Sequence, residues 1–192
     1  MAARPRGLVP CRPGASSVFQ GLHAHSKDLT GFLGFGRLLL NEDFRDLLSH
    51  LAASGARFLV VGAHALAIHG VPRATGDLDI WIDRDPTNVE RVWEALQRFG
   101  APMEALGFSR ADLTAPRTVV QIGLPPRRID LLTDLTGVDF ESAWRARASL
   151  SMQNASVPFL SREDLLRNKR ATGRTRDLAD LEALGEKRDS GE

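Results

Sequence analysis

The stretch "RATGDLDIWID" (73–83) sets two carboxylates, Asp77 and Asp79, two positions apart inside a run of apolar side chains. Read as a strand, it sends Asp77 and Asp79 to one side, and Leu78, Ile80 and Ile82 to the other. Two anions one pleat apart repel each other unless something positive lies between them. A hard divalent cation, Mg2+ above all, takes oxygen ligands of this kind. The plainer reading is a half-buried strand that shows an acidic face to water. Further along, "RRIDLLT" (127–133) repeats the pattern, with Ile129 and Leu131 facing one way and Asp130 the other.

Several elements must position these acids. Asn41 suits an N-cap, and Phe44, Leu47, Leu48 and Leu51 follow at helical spacing until Gly55 ends the helix. "RFLVVG" (57–62) is an apolar run fit for a buried strand. "AHALAIHG" (63–70) predicts a short helix stopped by Gly70, with His64 and His69 as packing or capping groups rather than catalysts. After the aspartate strand, Asp85 can cap and Pro86 can open a helix whose inner face is Val89, Val92, Trp93, Leu96 and Phe99. A less regular stretch follows. "TVVQIG" (118–123) and "RRIDLLT" then form two strands joined across "LPP". Ser161 with Asp164 resembles a capping box, and Leu165, Leu166 and Lys169 follow it. A break at Gly173 precedes "TRDLADLEAL" (175–184), where Leu178, Leu181 and Leu184 make one stripe. Strands separated by helices, with a helical tail from about residue 161, predict one α/β or α+β domain over 41–186.

Composition narrows the classes. The 192 residues carry a net charge of +1, so no global field draws the chain to nucleic acid or acidic membranes. The basic residues are almost all arginine, with Lys27, Lys169 and Lys187 the exceptions, which reads as coding bias rather than chemistry. A single cysteine, Cys11, excludes an intramolecular disulfide and a cysteine-built zinc site. No apolar run approaches the roughly 18–20 residues of a membrane span, so a reducing, cytoplasmic setting is expected. Residues 1–40 are rich in Arg, Pro, Gly and Ser and hold one acid, Asp28. They read as a disordered extension, or as translation from a start placed too far upstream, in preference to an organelle transit peptide. Residues 187–192 read as a disordered tail. "GFLGFG" (31–36) lacks the preceding strand a phosphate loop needs. "HAHS" (23–26) has no further metal ligands nearby.

A strand ending at Gly62-Ala63, an acid-x-acid strand about fifteen residues on, and a later strand with a third acid together resemble the nucleotidyltransferase fold of the polymerase-beta superfamily. The finer resemblance is to small bacterial nucleotidyltransferase-like proteins of toxin–antitoxin type. It is carried by "VGAHALAIHGVPRATGDLDIWI" (61–82), "RIDLL" (128–132) and "LSREDLLRNKRATGRTRDLADLEAL" (160–184). The resemblance implies a mixed sheet flanked by helices. It implies Mg2+ held by Asp77, Asp79 and Asp130, with Asp130 completing the metal that serves the attacking hydroxyl. NTP phosphates would lie against backbone N–H groups at Gly62 and Ala63. Arg73 and Thr75 would lie near the nucleotide, and Lys169 would reach its triphosphate. Ala63 departs from the superfamily, which more often has Gly or Ser there, and the change removes a possible hydroxyl contact to phosphate.

The leading expectation is an enzyme that moves a nucleoside monophosphate from an NTP to a protein or RNA hydroxyl, with a toxin–antitoxin pair as the setting the resemblance implies. The alternative is a catalytically weak or inactive module of the same fold that binds and neutralises a partner protein. A nucleotide sensor is a third reading. Intact Asp77, Asp79 and Asp130 favour the enzyme, while Ala63 favours the module. If carboxylate repulsion dominates the site, Asp77→Asn should leave the metal-free protein as stable as the parent, or more so.

Overall fold

The computed structural model describes residues 40–152 and 155–186. The expected extension (all but Leu40), "HAHS", "GFLGFG", Cys11 and the tail 187–192 lie outside the described residues. Leu40 itself is buried at the edge of the core.

Helix α1 (Glu42–Ala53) starts where Asn41 accepts the Phe44 N–H at 2.9 Å, and it buries Phe44, Leu47, Leu48 and Leu51. Strand β1 (Phe58–Val60) is buried throughout and runs into α2 (Gly62–Ile68). Strand β2 (Asp77–Ile82) follows, then α3 (Pro86–Phe99), capped by Asp85 and closed by Gly100 in the left-handed conformation. Two short helices, α4 (Met103–Leu106) and α5 (Arg110–Thr114), fill the irregular stretch. Strands β3 (Val119–Ile122) and β4 (Arg128–Leu132) pair antiparallel across the Leu124-Pro125-Pro126 turn. After them come α6 (Phe140–Ala146), the hairpin β5 (Ala148–Met152) and β6 (Ala155–Phe159), and the tail helices α7 (Arg162–Thr172) and α8 (Thr175–Ala183).

The six strands form one mixed sheet in the order β3-β4-β2-β1-β6-β5. β2 runs parallel to β4 and β1 parallel to β6, while the remaining pairs are antiparallel. This is the mixed α/β architecture that the alternation of apolar runs predicts. The pleat divides β2 as expected: Leu78, Ile80 and Ile82 have no exposed surface, so the face opposite the aspartates is wholly core. Sequence periodicity did not reveal α6 or the β5–β6 hairpin. α6 presents Phe140 edge-on to Trp81, with ring centroids 4.9 Å apart, and its aromatic residues are too few and too short-spaced to read as a helix alone. In the tail, Leu181 and Leu184 are buried but Leu178 is 45% exposed, so the expected stripe is only partly core. Among the described residues, no helix is long and apolar enough to cross a membrane.

The helical tail is held down by charge as well as by packing. Lys169 on α7 is 3% exposed, and its Nζ donates to Asp180 at 2.6 Å and to Asp177 at 3.2 Å, both on α8. Arg73, in the loop before β2, donates to the same Asp180 through Nε and Nη2 at 3.1 and 3.3 Å. Arg176 adds a bond from α8 to the Ala74 carbonyl in that loop. Burial works against the Asp180 anion, yet hydrogen bonds from Lys169 and Arg73 hold its carboxyl below the ordinary range. Two cations thus meet two anions, and the group is balanced within itself. Removing one member of a buried pair strands the other charges, which costs about 3–5 kcal/mol. Lys169→Ala is therefore expected to lower the urea unfolding free energy by about that much. An unchanged midpoint would show that Lys169 is not a structural tie.

Candidate functional site: three carboxylates around one arginine

The β2–β4 register decides the site. Asp79 pairs with Asp130, and Asp77 pairs with Arg128, so all four side chains leave one face of two parallel strands. Gln121 on β3 is the register partner of Asp130 and extends the row. The sheet therefore brings the three predicted acids together. They do not form a water-facing acidic face: the side chains of Asp77 and Asp130 are only 28% and 10% exposed, and Asp79 is half-buried.

Gly62 admits Asp79 to this cluster. A Cβ built on Gly62 would lie 2.1 Å from Asp79 Oδ2, and the backbone there has φ +61°, a conformation side-chain-bearing residues avoid. Strand β1 thus ends in the residue type that lets a carboxylate press against the start of α2. The backbone continues the link, since the Val61 N–H donates to the Asp79 carbonyl at 3.0 Å.

The positive group that two close carboxylates require is Arg128. Its Nε donates to Asp130 Oδ1 at 2.9 Å, and its Nη2 donates to Asp77 Oδ2. Thr75 donates to the other Asp77 oxygen, Oδ1. Gln121 Nε2 stands 3.4 Å from both oxygens of Asp130. Among the described residues, the Asp79 carboxyl is shifted by burial and by electrostatic neighbours alone. Burial, then the anions at Asp77 and Asp130, push its carboxyl up to about 6, against the pull of Arg128 and Arg73. Burial also raises Asp130, opposed by Arg128 and Gln121. His64 on α2 is buried, its Nε2 has no partner, and burial lowers its pKa. Its ring lies edge-on to Phe44, the packing role expected of it. His69 contacts the Leu160 carbonyl at 2.8 Å, tying α2 to the end of β6.

Several expected nucleotide contacts have other employment. Lys169 and Arg73 are consumed by Asp177 and Asp180, so neither is a free cation. Ala63 is 4% exposed, which leaves little room for a side chain there to meet phosphate. Thr75 holds a carboxylate instead of facing open space. Sequence reasoning overlooked Arg128, although the signal was present: it stands two residues before Asp130 on a strand, hence on the same face.

The donor set suits a hard divalent cation, since it consists of carboxylate oxygens gathered on one face. A guanidinium stands in for that cation between Asp77 and Asp130. As arranged, no group of three or more His, Cys, Asp or Glu among the described residues is disposed to hold a metal ion.

No protein-family model matches this chain, and no protein of curated function matches it. One solved structure it is similar to is a "putative nucleotidyltransferase" from Thermotoga maritima, with 16% identity and a TM-score of 0.48. That match covers 73% of this chain and 88% of the other. A likeness this loose carries no weight for function.

Repulsion now centres on Asp79 rather than on Asp77, whose two oxygens are both engaged. A carboxyl raised in the folded state binds its proton there first, so it weakens folding above its folded pKa. That penalty fades as pH falls through about 6 toward the ordinary aspartate value of 3.8. Asp79→Asn should therefore stabilise the metal-free protein by on the order of 1–3 kcal/mol at pH 8 and by almost nothing near pH 4. Thermal melts of both proteins across this range check it. A gain that grows toward low pH would contradict the assignment.

Proposed function

We infer that the chain is a nucleotidyltransferase that moves a nucleoside monophosphate from an NTP to a hydroxyl of a protein or RNA. The observation that carries this reading is the register match of Asp79 with Asp130 beside Asp77, at the end of the sheet where Gly62 gives Asp79 room. The motif resemblance over 61–82, 128–132 and 160–184 supports it. In the reaction, the acceptor oxygen bonds to the α-phosphorus, the bond to the β-phosphate breaks, pyrophosphate leaves and the hydroxyl proton passes to solvent. Such transfer concentrates charge on in-line oxygens, so catalysis is mainly positioning and charge neutralisation.

Asp77, Asp79 and Asp130 are the residues that would hold Mg2+, which when bound would neutralise phosphate charge and favour the attacking oxygen. Thr75 orients Asp77, Gln121 orients Asp130, and Gly62 sets the depth of Asp79. Arg73 and Lys169 act at a distance, by fixing the loop that leads into Asp77. Gly62 and Ala63 remain the proposed backbone contacts to phosphate. The proposed setting is the cytoplasm, with a toxin or antitoxin protein, or an RNA, as acceptor.

A second reading, a silent module that neutralises a partner protein, is favoured by one observation: Lys169, expected on the triphosphate, and Arg73, expected near the nucleotide, are both paired with Asp180 of α8. Labelled ATP, CTP, GTP and UTP, offered with Mg2+ and total cell RNA or protein, separate the two. The parent should label an acceptor. Asp77→Ala, Asp79→Ala and Asp130→Ala should each reduce labelling by on the order of a hundredfold or more. No labelling with any nucleotide, including with the neighbouring gene product as acceptor, would favour the binding module.

A further inference from the structure

Arg128 holds a position unlike that of any other arginine in the described residues. It precedes Asp130 by two residues on β4, and it is the register partner of Asp77 on β2, so one guanidinium reaches both carboxylates from within the row. Both atoms it engages, Asp77 Oδ2 and Asp130 Oδ1, are oxygens that a hard cation bound by these residues would need. The remaining Asp77 oxygen is taken by Thr75. Arg128 pairs with two of the three carboxylates in this row, whereas the Lys169 group pairs two cations with two anions.

We propose that Arg128 is a tethered counter-cation that competes with divalent ions for Asp77 and Asp130, so that metal enters only as the guanidinium swings out. The proposal rests on the reading of the three aspartates as metal ligands. Two features support competition over simple bracing. One guanidinium engages an oxygen of each acid by charge-assisted hydrogen bonds, the interactions a bound cation would replace. Its side chain is 25% exposed, so it has solvent access that the buried Lys169 lacks. Arg128 would thus set a threshold for loading: at low divalent concentration the carboxylates keep their internal partner and the fold stays intact without metal.

The probe is Mn2+ alone, with binding to the full chain read by electron paramagnetic resonance. Arg128→Gln retains hydrogen-bonding capacity but removes the charge, and should bind Mn2+ about tenfold more tightly or better. Arg128→Lys keeps the charge and should stay closer to the parent. Equal or weaker binding by Arg128→Gln, with the parent binding normally, would overturn the competition and leave the metal reading standing. No binding by either protein would overturn both. Should Arg128→Gln fail to fold, the parent supplies the test through the Arg128 Nε–H resonance. Titration with Mg2+ should move that resonance toward the position of a free arginine, and a resonance unmoved at saturating Mg2+ would overturn the proposal.

Discussion

Three carboxylates on neighbouring strands repel one another, and each loses hydration as the sheet packs. The structure meets this constraint with register rather than with distance. Pairing Asp77 with Arg128 and Asp79 with Asp130 places one guanidinium between two of the acids, while Thr75 and Gln121 supply donors to the same pair. At Asp79, burial and two nearby anions outweigh the pull of Arg128 and Arg73, and its carboxyl is accordingly pushed up to about 6. The apolar half of β2 sits behind this row with no exposed surface, so the strand cannot slip by one residue without burying the acids in the core. That penalty locks the register on which the cluster depends.

The two charged groups in the molecule differ in their arithmetic. In the tail, Lys169 and Arg73 face Asp177 and Asp180, two against two, and the ammonium is almost wholly buried. A balanced, dry group of this kind specifies geometry: it fixes α7, α8 and the loop before β2 relative to one another. In the sheet, three acids face one guanidinium that keeps access to solvent. An unbalanced group whose counter-charge is partly exposed is suited to exchange ligands. The first group supports the second, since the loop that Arg73 anchors carries Thr75, which in turn holds Asp77.

Much of this arrangement was legible in the chain. Alternation in "DLDIWI" and "RIDLL" gave the faces of the acids, because a pleat has a period of two and an acid cannot share the core side with leucine and isoleucine. Asn41, Asp85 and Ser161 marked helix starts through the local chemistry of capping. Other features were not legible. Nothing in the local sequence of Arg73 and Lys169 shows that Asp177 and Asp180 fold back onto them. Leu178 looked like core because helical spacing alone does not say how far the neighbouring surface extends.

The sequence by itself determined which side chains share a face, where helices begin and that three acids line up on strands, since these follow from backbone periodicity and from interactions within a few residues. Only the tertiary structure decided that β4 lies parallel beside β2, that Arg128 falls opposite Asp77, and that Gly62 must lack a side chain because Asp79 occupies the space. Those outcomes depend on pairing between segments about fifty residues apart and on contacts of a few ångströms, and such contacts exist only once the sheet has closed its register.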